Sequence, residues 1–177
     1  MGIKLNMSKA YDRVEWSFLE AMMRKMDFSK EWINLIMVCV SSVSYAILVN
    51  GQPSGKIKPT RGIRQGDPLS PYLFLLCAKA LSALLTRAEE NGVLTGVPTS
   101  KKGLRLSHIF FANDSLIFCK VNSVKWRRLT KLLDKYEAAS GQKLNKDKTS
   151  VFFSCNTSLK KTEGNFTTLG FTSHPKL

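Results

Sequence analysis

The chain has 177 residues, 44% of them hydrophobic, which is enough for one domain with a real core and excludes an intrinsically disordered segment. Lys and Arg number 27 against 13 Asp and Glu, so the formal net charge is +14 and the sequence pI is about 9.8. This excess makes nucleic acid the leading partner class, with a solvated basic face as the alternative. It is uneven: residues 1–100 hold 12 basic and 8 acidic side chains, a balance of +4, and residues 101–177 hold 15 and 5, a balance of +10.

The cysteines and histidines indicate neither a zinc site nor a disulfide framework, because they are widely spaced and form no Cys-x-x-Cys pair. They are Cys39, Cys77, Cys119, Cys155, His108 and His174. We interpret the cysteines as small buried hydrophobic residues in a reducing compartment. The N-terminus has no signal-peptide pattern, and the apolar runs are too short and interrupted to cross a bilayer. We therefore expect an intracellular protein, cytoplasmic or nuclear, with no membrane partner.

The first elements predicted are a short strand and two helices. A strand is predicted over residues 3–7, and residues 14–28 carry apolar side chains at helical spacing. Asp27 stands where this helix should end in a left-handed conformation, and Ser29 is placed to cap the next helix, which runs to about Ser42. That second helix is apolar on nearly every side, so we expect it to be buried.

A hairpin and a polar loop follow. β-Branched and aromatic residues predict a strand over residues 45–50, the Asn50-Gly51 pair supplies a turn, and residues 56–60 return as a second strand. Residues 60–71 have no apolar period and are rich in Arg, Gly and Gln. This composition indicates a recognition loop, presented by the hairpin before it.

A long helix is predicted next. Ser70 as cap and Pro71 as first residue predict its start, and it runs to Glu90 with residues 72–78 in the core. Residues 92–103 are rich in Gly, Pro, Thr and Ser, but this segment is too short to establish a domain boundary. We interpret it as a connection within one domain.

The last third contains a second hairpin, a helix and a strand. Two apolar runs, 104–111 and 116–121, flank an Asn-Asp-Ser turn, which predicts a hairpin with a polar tip. Ser123 is placed to cap a helix through Ser140, and residues 149–155 read as a strand. The sum is an α+β domain, with a mostly antiparallel sheet and three or four helices on one face.

Three segments carry the motifs. They are residues 4–12 (Lys-Leu-Asn-Met-Ser-Lys-Ala-Tyr-Asp), residues 61–71 (Arg-Gly-Ile-Arg-Gln-Gly-Asp-Pro-Leu-Ser-Pro) and residues 111–114 (Phe-Ala-Asn-Asp). In this order they resemble reverse transcriptases of LINE-type non-LTR retrotransposons, particularly the plant elements. The middle segment is the most specific, since it matches the family pattern over 11 consecutive residues. Residues 140–149 and 169–171 match as well.

The resemblance implies a polymerase palm and an RNA-directed DNA polymerase. Residues 1–177 then form a single partial reverse transcriptase domain, from the first catalytic strand to the segment before the thumb. Fingers, thumb, endonuclease and RNase H regions have no counterpart in this sequence. The implied partners are an RNA template, a DNA primer and a dNTP, and no stable protein partner is implied.

The catalytic positions of the family are altered here. The family uses two divalent ions, normally Mg²⁺, one assisting the primer 3′-hydroxyl and one clamping the triphosphate, and holds them with three aspartates. The corresponding positions are Asn6, Asn113 and Asp114. Two of the three are amides with the shape of aspartate but not its charge, so we expect an intact fold, weakened Mg²⁺ binding and activity lower by roughly 10⁴-fold or more.

The other positions of the family pattern are present. Tyr11 matches the aromatic residue that lies beneath the incoming sugar and discriminates against a 2′-hydroxyl, with simple core packing as the alternative. Gln65 and Gly66 match loop residues at the template and nucleotide, where glycine permits close backbone approach. Arg61 and Arg64 are expected to approach phosphates or the template backbone.

Two further assignments are more open. Lys148, or less favourably Lys143, corresponds to the lysine region that protonates the pyrophosphate leaving group, and nearby cations could equally serve as electrostatic contacts. Asp12 lies six residues beyond Asn6 and past the end of the predicted strand. We interpret it as a helix-start carboxylate, not as a replacement ligand.

Three functional hypotheses follow. The first is a palm fragment of a retrotransposon reverse transcriptase whose catalysis has decayed, as the two amides indicate. The second is a non-catalytic RNA- or DNA-binding module, favoured by the +14 charge and the intact loop at residues 61–67. The third is a translated remnant without a selected function, which the sequence does not separate from the second.

Overall fold

The computed structural model describes residues 1–100, 105–111, 114–120, 122–154 and 172–174. In chain order their elements are β1 (Gly2–Ser8), α1 (Trp16–Lys25), α2 (Lys30–Ser41), β2 (Tyr45–Val49), β3 (Gln52–Ile57), α3 (Ser70–Glu90), β4 (Val97–Pro98), β5 (Arg105–Leu106), β6 (His108–Phe111), β7 (Asp114–Phe118), α4 (Ser123–Ser140), β8 (Lys143–Leu144), β9 (Ser150–Phe152) and β10 (Thr172–His174). The predictions for Asn113, Cys155 and residues 169–171 lie outside the described residues.

β1 is the centre of the main sheet, whose strand order is β10-β9-β1-β7-β6, with β8 paired to the far end of β1. β1 runs antiparallel to β7, β8 and β9, and β6 runs antiparallel to β7. Of the pairs described, β9 with β10 is the parallel one. The predicted α+β fold with a mostly antiparallel sheet is therefore confirmed.

The two faces of β1 have opposite roles. Burial alternates along the strand, and Ile3, Leu5 and Met7 are buried in one core with the inward residues of the four helices. Lys4 and Asn6 are on the other face and are only partly buried. The helices thus cover one face of β1 and leave the face with Asn6 open.

α3 is the main core helix, and its predicted span is confirmed. Eight of its residues are buried, including Leu73, Cys77 and Leu85, and burial raises the pKa of the Cys77 thiol to about 12. By length and composition alone, α3 is also apolar enough to cross a membrane, so the expectation that every apolar run is too short was wrong. Its apolar side packs in the core, which accounts for its composition.

Several local signals are confirmed. Asp27 has a φ of 58° after α1, and the Ser29 hydroxyl accepts a hydrogen bond of 3.2 Å from the amide of Trp32 at the start of α2. Asn50 and Gly51 both have positive φ in the turn between β2 and β3. This tight turn lets the return strand begin at Gln52, earlier than predicted.

Two predicted caps were wrong by one residue. Ser70 is the first residue of α3 and is buried, whereas the Asp67 carboxylate accepts from the amide of Leu69 at 2.8 Å in the turn before it. Ser123 is likewise the first residue of α4. The cap there is Asn122, whose side-chain oxygen accepts from the amides of residues 124 and 125. At α4 the residue directly before the helix thus satisfies free amides of the first turn, whereas at α3 the Asp67 carboxylate binds only the amide of Leu69, the residue before that helix.

The prediction that α2 is buried was also wrong. Only Ile33 and Ile36 are buried, whereas Trp32, Leu35 and Val38 are 48%, 54% and 61% exposed. One side of α2 packs on α1, and the side that carries Trp32, Leu35 and Val38 is exposed. The same correction applies to Cys39, Tyr72 and Leu75, which were expected in the core and are exposed.

Candidate active site and nucleic-acid cleft

The open face of the sheet brings together two of the three positions that correspond to the catalytic aspartates. Asn6 on β1 pairs directly with Asp114 on β7. The Asn6 side-chain nitrogen lies 3.5 Å from Oδ1 of Asp114, at the outer limit of a hydrogen bond. Asp114, predicted at the tip of the hairpin turn, is the first residue of β7.

Lys4 is a third member of this group that the sequence analysis missed. Its Nζ lies 3.0 Å from Oδ2 of Asp114, and the two side chains are 44% and 40% exposed. Lys4 is two residues before Asn6 and therefore on the same face, at the diagonal position across the β1–β7 pair. The period of two along the strand was the signal that could have identified it.

The side chains of Lys4, Asn6 and Asp114 do not fit a pair of divalent metal ions. Hard cations require anionic oxygens, yet both oxygens of the Asp114 carboxylate face nitrogen donors, Lys4 on one side and Asn6 on the other. Among the residues that the structure describes, no three His, Cys, Asp or Glu side chains are grouped closely enough to hold a metal ion. The described face therefore lacks the charge that a two-metal site needs.

Asp12 does not replace the missing acids. It is exposed in a turn after β1, and α1 begins only at Trp16 with Glu15 as its cap. The expectation that Asp12 is a helix-start carboxylate was therefore wrong. Its backbone instead contacts the loop at residues 60–71, through a close approach to Gly62.

Backbone hydrogen bonds and one glycine dock the loop at residues 60–71 onto the turn after β1. The amide of Gly62 donates to the carbonyl of Val14 at 2.7 Å, and the indole of Trp16 donates to the carbonyl of Gly62 at 2.7 Å. The amide of Ile63 donates to the carbonyl of Tyr11 at 3.0 Å. Gly62 has a φ of 91°, and a Cβ there would lie 2.7 Å from the carbonyl oxygen of Asp12, so glycine is required.

Tyr11, Gln65 and Gly66 line one open cleft with a volume of about 600 Å³. The Tyr11 ring stacks on Phe74 of α3, with ring centroids 4.7 Å apart and planes at 10°. This packing fixes the ring at the edge of the cleft. It agrees with the core-packing alternative for Tyr11 and leaves its role toward a sugar open.

Arg61 and Arg64 lie in a neighbouring cleft of about 450 Å³ that shares Gln65 with the first. Arg61 forms an ion pair with Glu15, with 3.3 Å between Nη1 and Oε1. Arg64 is exposed. The structure therefore places both arginines beside the Tyr11 cleft instead of within it.

The turn between β8 and β9 attaches directly to the backbone of Asn6. The amide of Asn145 donates to the Asn6 carbonyl at 2.8 Å, and the amide of Asn6 donates to the hydroxyl of Thr149 at 3.4 Å. Lys148 is exposed in this turn, close in the chain to both contacts. Lys143 is instead paired with Glu137 at 3.2 Å, which makes it the weaker candidate of the two lysines.

A buried network missed by the sequence analysis holds the turn after β1. The side chain of Gln142 is 1% exposed, and its nitrogen donates to the carbonyl of Ala10 at 2.8 Å. The Tyr136 hydroxyl donates to the Gln142 side-chain oxygen, and burial raises the pKa of Tyr136. The glutamine beside Gly141 gave no separate signal, because the contact that fixes the turn is made with Ala10, 132 residues away in the sequence.

Together, the central β1–β7–β6 strands, the open polar face and the glycine-docked loop define a polymerase palm of the α+β class. The sequence matches the family described as reverse transcriptase (RNA-dependent DNA polymerase) over residues 1–173. The chain belongs to this family.

Its sequence relatives include Pol proteins of non-LTR retrotransposons. The Pol polyprotein from the type-2 retrotransposable element R2DM of Drosophila melanogaster is 29% identical over 144 residues, which is 81% of this chain and 13% of the relative. An uncharacterized mitochondrial protein of Arabidopsis thaliana is 47% identical over 79 residues, 45% of this chain and 60% of the relative. The match thus spans about an eighth of the retrotransposon protein and three fifths of the mitochondrial one.

The fold is similar to that of telomerase. A telomerase from Candida albicans, solved in complex with a fragment of telomeric RNA, matches 89% of this chain and 28% of its own, with a TM-score of 0.65 and 14% sequence identity. An apo telomerase from Candida tropicalis matches 84% of this chain and 29% of its own, with a TM-score of 0.61 and 19% identity. At these identities the likeness supports the fold alone.

Proposed function

We propose that this chain is a reverse transcriptase palm that keeps its nucleic-acid surface and has lost most or all of its metal-dependent nucleotidyl transfer. The observation that carries the proposal is the centre of the open face, where Lys4 and Asn6 both direct nitrogen donors at Asp114. Two divalent ions need several anionic oxygens, and this face offers one carboxylate that already has a cationic partner. Asn113 adds a further amide in the sequence and no charge.

The residues proposed to hold substrate do not depend on the lost charges. Tyr11 is fixed against Phe74 and would contact the sugar of a nucleotide in the cleft of about 600 Å³. Gln65 and Gly66, at the tip of the docked loop, would contact the template base and backbone. We therefore expect the chain to bind a nucleotide and nucleic acid although it has lost nucleotidyl transfer.

Binding of RNA or DNA without catalysis is the second proposed function, and the charge favours it. A net charge of +14 on 177 residues supplies many cations for phosphate contacts, each of which releases counterions from the nucleic acid. Affinity for a primer–template duplex should therefore fall steeply as salt rises. Two exposed residues are the proposed phosphate contacts: Arg64 in the loop at residues 60–71, and Lys148 in the turn that attaches to the backbone of Asn6.

The test compares binding and synthesis in one preparation. Fluorescence anisotropy would measure binding of a labelled DNA primer on an RNA template across a salt series, and primer extension would be followed with Mg²⁺ and with Mn²⁺. We expect salt-sensitive binding and extension lower by roughly 10⁴-fold or more than that of an active family member. Robust primer extension by the unmodified chain would contradict the loss of catalysis. A duplex affinity that does not change with salt concentration would contradict the binding function.

A revertant serves as the positive control. The double substitution Asn6→Asp and Asn113→Asp restores the three-aspartate pattern of the family. An increase in Mn²⁺ affinity without an increase in duplex affinity would assign the defect to the metal site. Unchanged Mn²⁺ affinity would show that the two amides are not the cause.

A further inference from the structure

A groove on the helical side of the molecule has no part in the reaction considered above. It lies between the C-terminal half of α3 and the middle of α4 and has a volume of about 320 Å³. The helices cover the face of β1 that carries Ile3, Leu5 and Met7, whereas Asn6 is on the opposite face. The groove is therefore on the other side of the sheet from the candidate active site.

Four cations form the rim of the groove: Arg87 on α3, and Arg128, Lys131 and Lys135 on α4. The three on α4 share one face of the helix, because spacings of three and four residues place side chains on the same side. All four are exposed, and none takes part in the ion pairs found among the described residues. The dipole at the C-terminal end of α3 stabilises the charge of Arg87. A helix dipole does not account for the three α4 cations, because they lie more than one turn from either end of α4.

The floor of the groove is aliphatic. Leu84 and Ala88 of α3, Leu132 of α4 and Val93 after α3 line it, and Leu84 is 37% exposed. No aromatic side chain is among the described residues that line it. A basic face that serves only solubility has no need of an apolar floor between its cations.

We propose that this groove binds an acidic amphipathic peptide segment, with an aliphatic side chain on the floor and carboxylates at the rim. Sequence-independent binding of single-stranded nucleic acid uses aromatic rings for base stacking, and a phosphate backbone alone would leave the aliphatic floor uncovered. A volume of about 320 Å³ is at the small end of ligand pockets, so it admits side chains of a segment and not a folded body. The proposal does not depend on whether catalysis is lost.

The two parts of the groove have different expected effects. Exposed ion pairs contribute little each, so burial of the aliphatic side chain supplies most of the affinity. The rim cations speed association and select against partners without acidic residues. Binding should therefore be weakened by loss of the floor at any salt concentration, and by loss of the rim mainly at low salt.

The experiment uses the full chain and two synthetic probes. One is a fluorescein-labelled peptide of roughly 16 Glu and Leu residues with leucines three and four positions apart, and the other has the same composition in an order without helical spacing. Binding to the unmodified chain would be compared with binding to the rim variant Arg128→Glu/Lys131→Glu and the floor variant Leu84→Gln. Lys56→Glu/Lys58→Glu, which changes the net charge equally on exposed residues of the β2–β3 region, is the matched control.

We expect the helically spaced peptide to bind about tenfold more tightly than the reordered one, and the rim and floor variants to lose about fivefold or more. The control should stay within about twofold of the unmodified chain. Equal binding of the two peptides, no binding of either, or an unaffected rim variant would overturn the proposal. If an oligothymidylate competitor binds through the rim and Leu84→Gln changes nothing, the groove binds nucleic acid instead. Circular dichroism would confirm that each variant is folded.

Discussion

At the scale of single residues, the open face differs from its family pattern in charge and not in shape. Asparagine keeps the size of aspartate, so Asn6 still pairs with Asp114 in the β1–β7 register. The sequence was sufficient to predict that these two positions meet, because the family motif assigns both. The period of two along β1 is enough to place Lys4 on the same face as Asn6, but its contact with Asp114 depends on the diagonal of a register that only the folded sheet defines.

The Lys4–Asp114 ion pair should compete with a metal ion when an acid is restored at position 6. We expect Asn6→Asp to raise Mn²⁺ affinity, and Lys4→Gln added to it to raise the affinity a further three- to tenfold or so, because an exposed charge contact is worth about 1 kcal/mol. Titration of free Mn²⁺ by electron paramagnetic resonance measures this directly. Lys9→Gln in the same Asn6→Asp background is the control, and an equal gain there would show that the ion pair has no specific effect.

Gly62 should be the least replaceable glycine of the recognition loop. Gly62→Ala combines a φ of 91° with a Cβ placed 2.7 Å from the carbonyl oxygen of Asp12. We expect it to lower the free energy of unfolding by about 3 kcal/mol, and Gly92→Ala, where φ is also positive but the Cβ would meet open space, by about 1 kcal/mol. Urea unfolding followed by tryptophan fluorescence gives both values. Equal losses would mean that the contact with Asp12 relaxes freely.

At the scale of elements, the predictions succeeded where local chemistry decides and failed where distant packing decides. The span of α3 and the left-handed end at Asp27 follow from neighbouring residues, and both were predicted. The exposure of α2 was not predicted, because a helix that is apolar on every side is buried only where other elements pack on each side of it. On α4, Trp126 is 3% exposed and belongs to the core, whereas Val124 is 55% exposed.

Gln142 should hold the turn between β1 and the recognition loop. This turn contains Lys9 in a left-handed conformation and relies on the hydrogen bond from Gln142 to the carbonyl of Ala10. Gln142→Ala leaves the buried Ala10 carbonyl without its hydrogen bond, whereas the Tyr136 hydroxyl keeps the Cys77 carbonyl at 3.2 Å as an acceptor, so the free energy of unfolding should fall by about 1–3 kcal/mol. Hydrogen exchange of the amides at residues 9–11 should accelerate with it. Gln65→Ala, at an exposed glutamine, should change neither quantity, and slow exchange in the Gln142 variant would contradict this role.

His108 on β6 should make stability depend on pH. Its ring lies between the hydroxyls of Ser82 and Ser107, at 2.8 and 3.0 Å, and burial lowers its pKa despite the opposing charge of Glu89. A lowered folded-state pKa means that the unfolded chain binds the proton more tightly, so stability is full above the unfolded value of about 6.5 and falls as pH drops toward the folded value. Urea unfolding between pH 5 and 7.5 should show this slope, and His108→Gln should flatten it. If the free energy of unfolding of the variant depends on pH as steeply as that of the unmodified chain, groups other than His108 cause the dependence.

At the scale of the whole molecule, the fold is better determined by sequence than the site is. The core needs only the periodic apolar residues of β1 and the helices, and conservative amides do not disturb it. The site depends on charge at a few atoms, which alters function without altering packing. This is why the architecture could be predicted from motifs and pattern, whereas the electrostatics of the open face required the register of β1 with β7.

The exposed side of α2 should make the isolated chain self-associate. Trp32, Leu35 and Val38 are each about half or more exposed and are spaced three residues apart, so they form one apolar stripe on α2. We expect Leu35→Gln/Val38→Thr to lower the weight-average mass in sedimentation equilibrium while leaving the melting temperature within a few degrees, because exposed residues contribute little to the folded core.

Leu75→Gln, which removes an equally exposed leucine from α3, is the matched control and should leave association unchanged. A monomeric unmodified chain at about 50 μM would contradict the expectation, which is for association in the micromolar range. If instead both variants reduce association equally, the attraction comes from apolar surface in general and not from the stripe on α2.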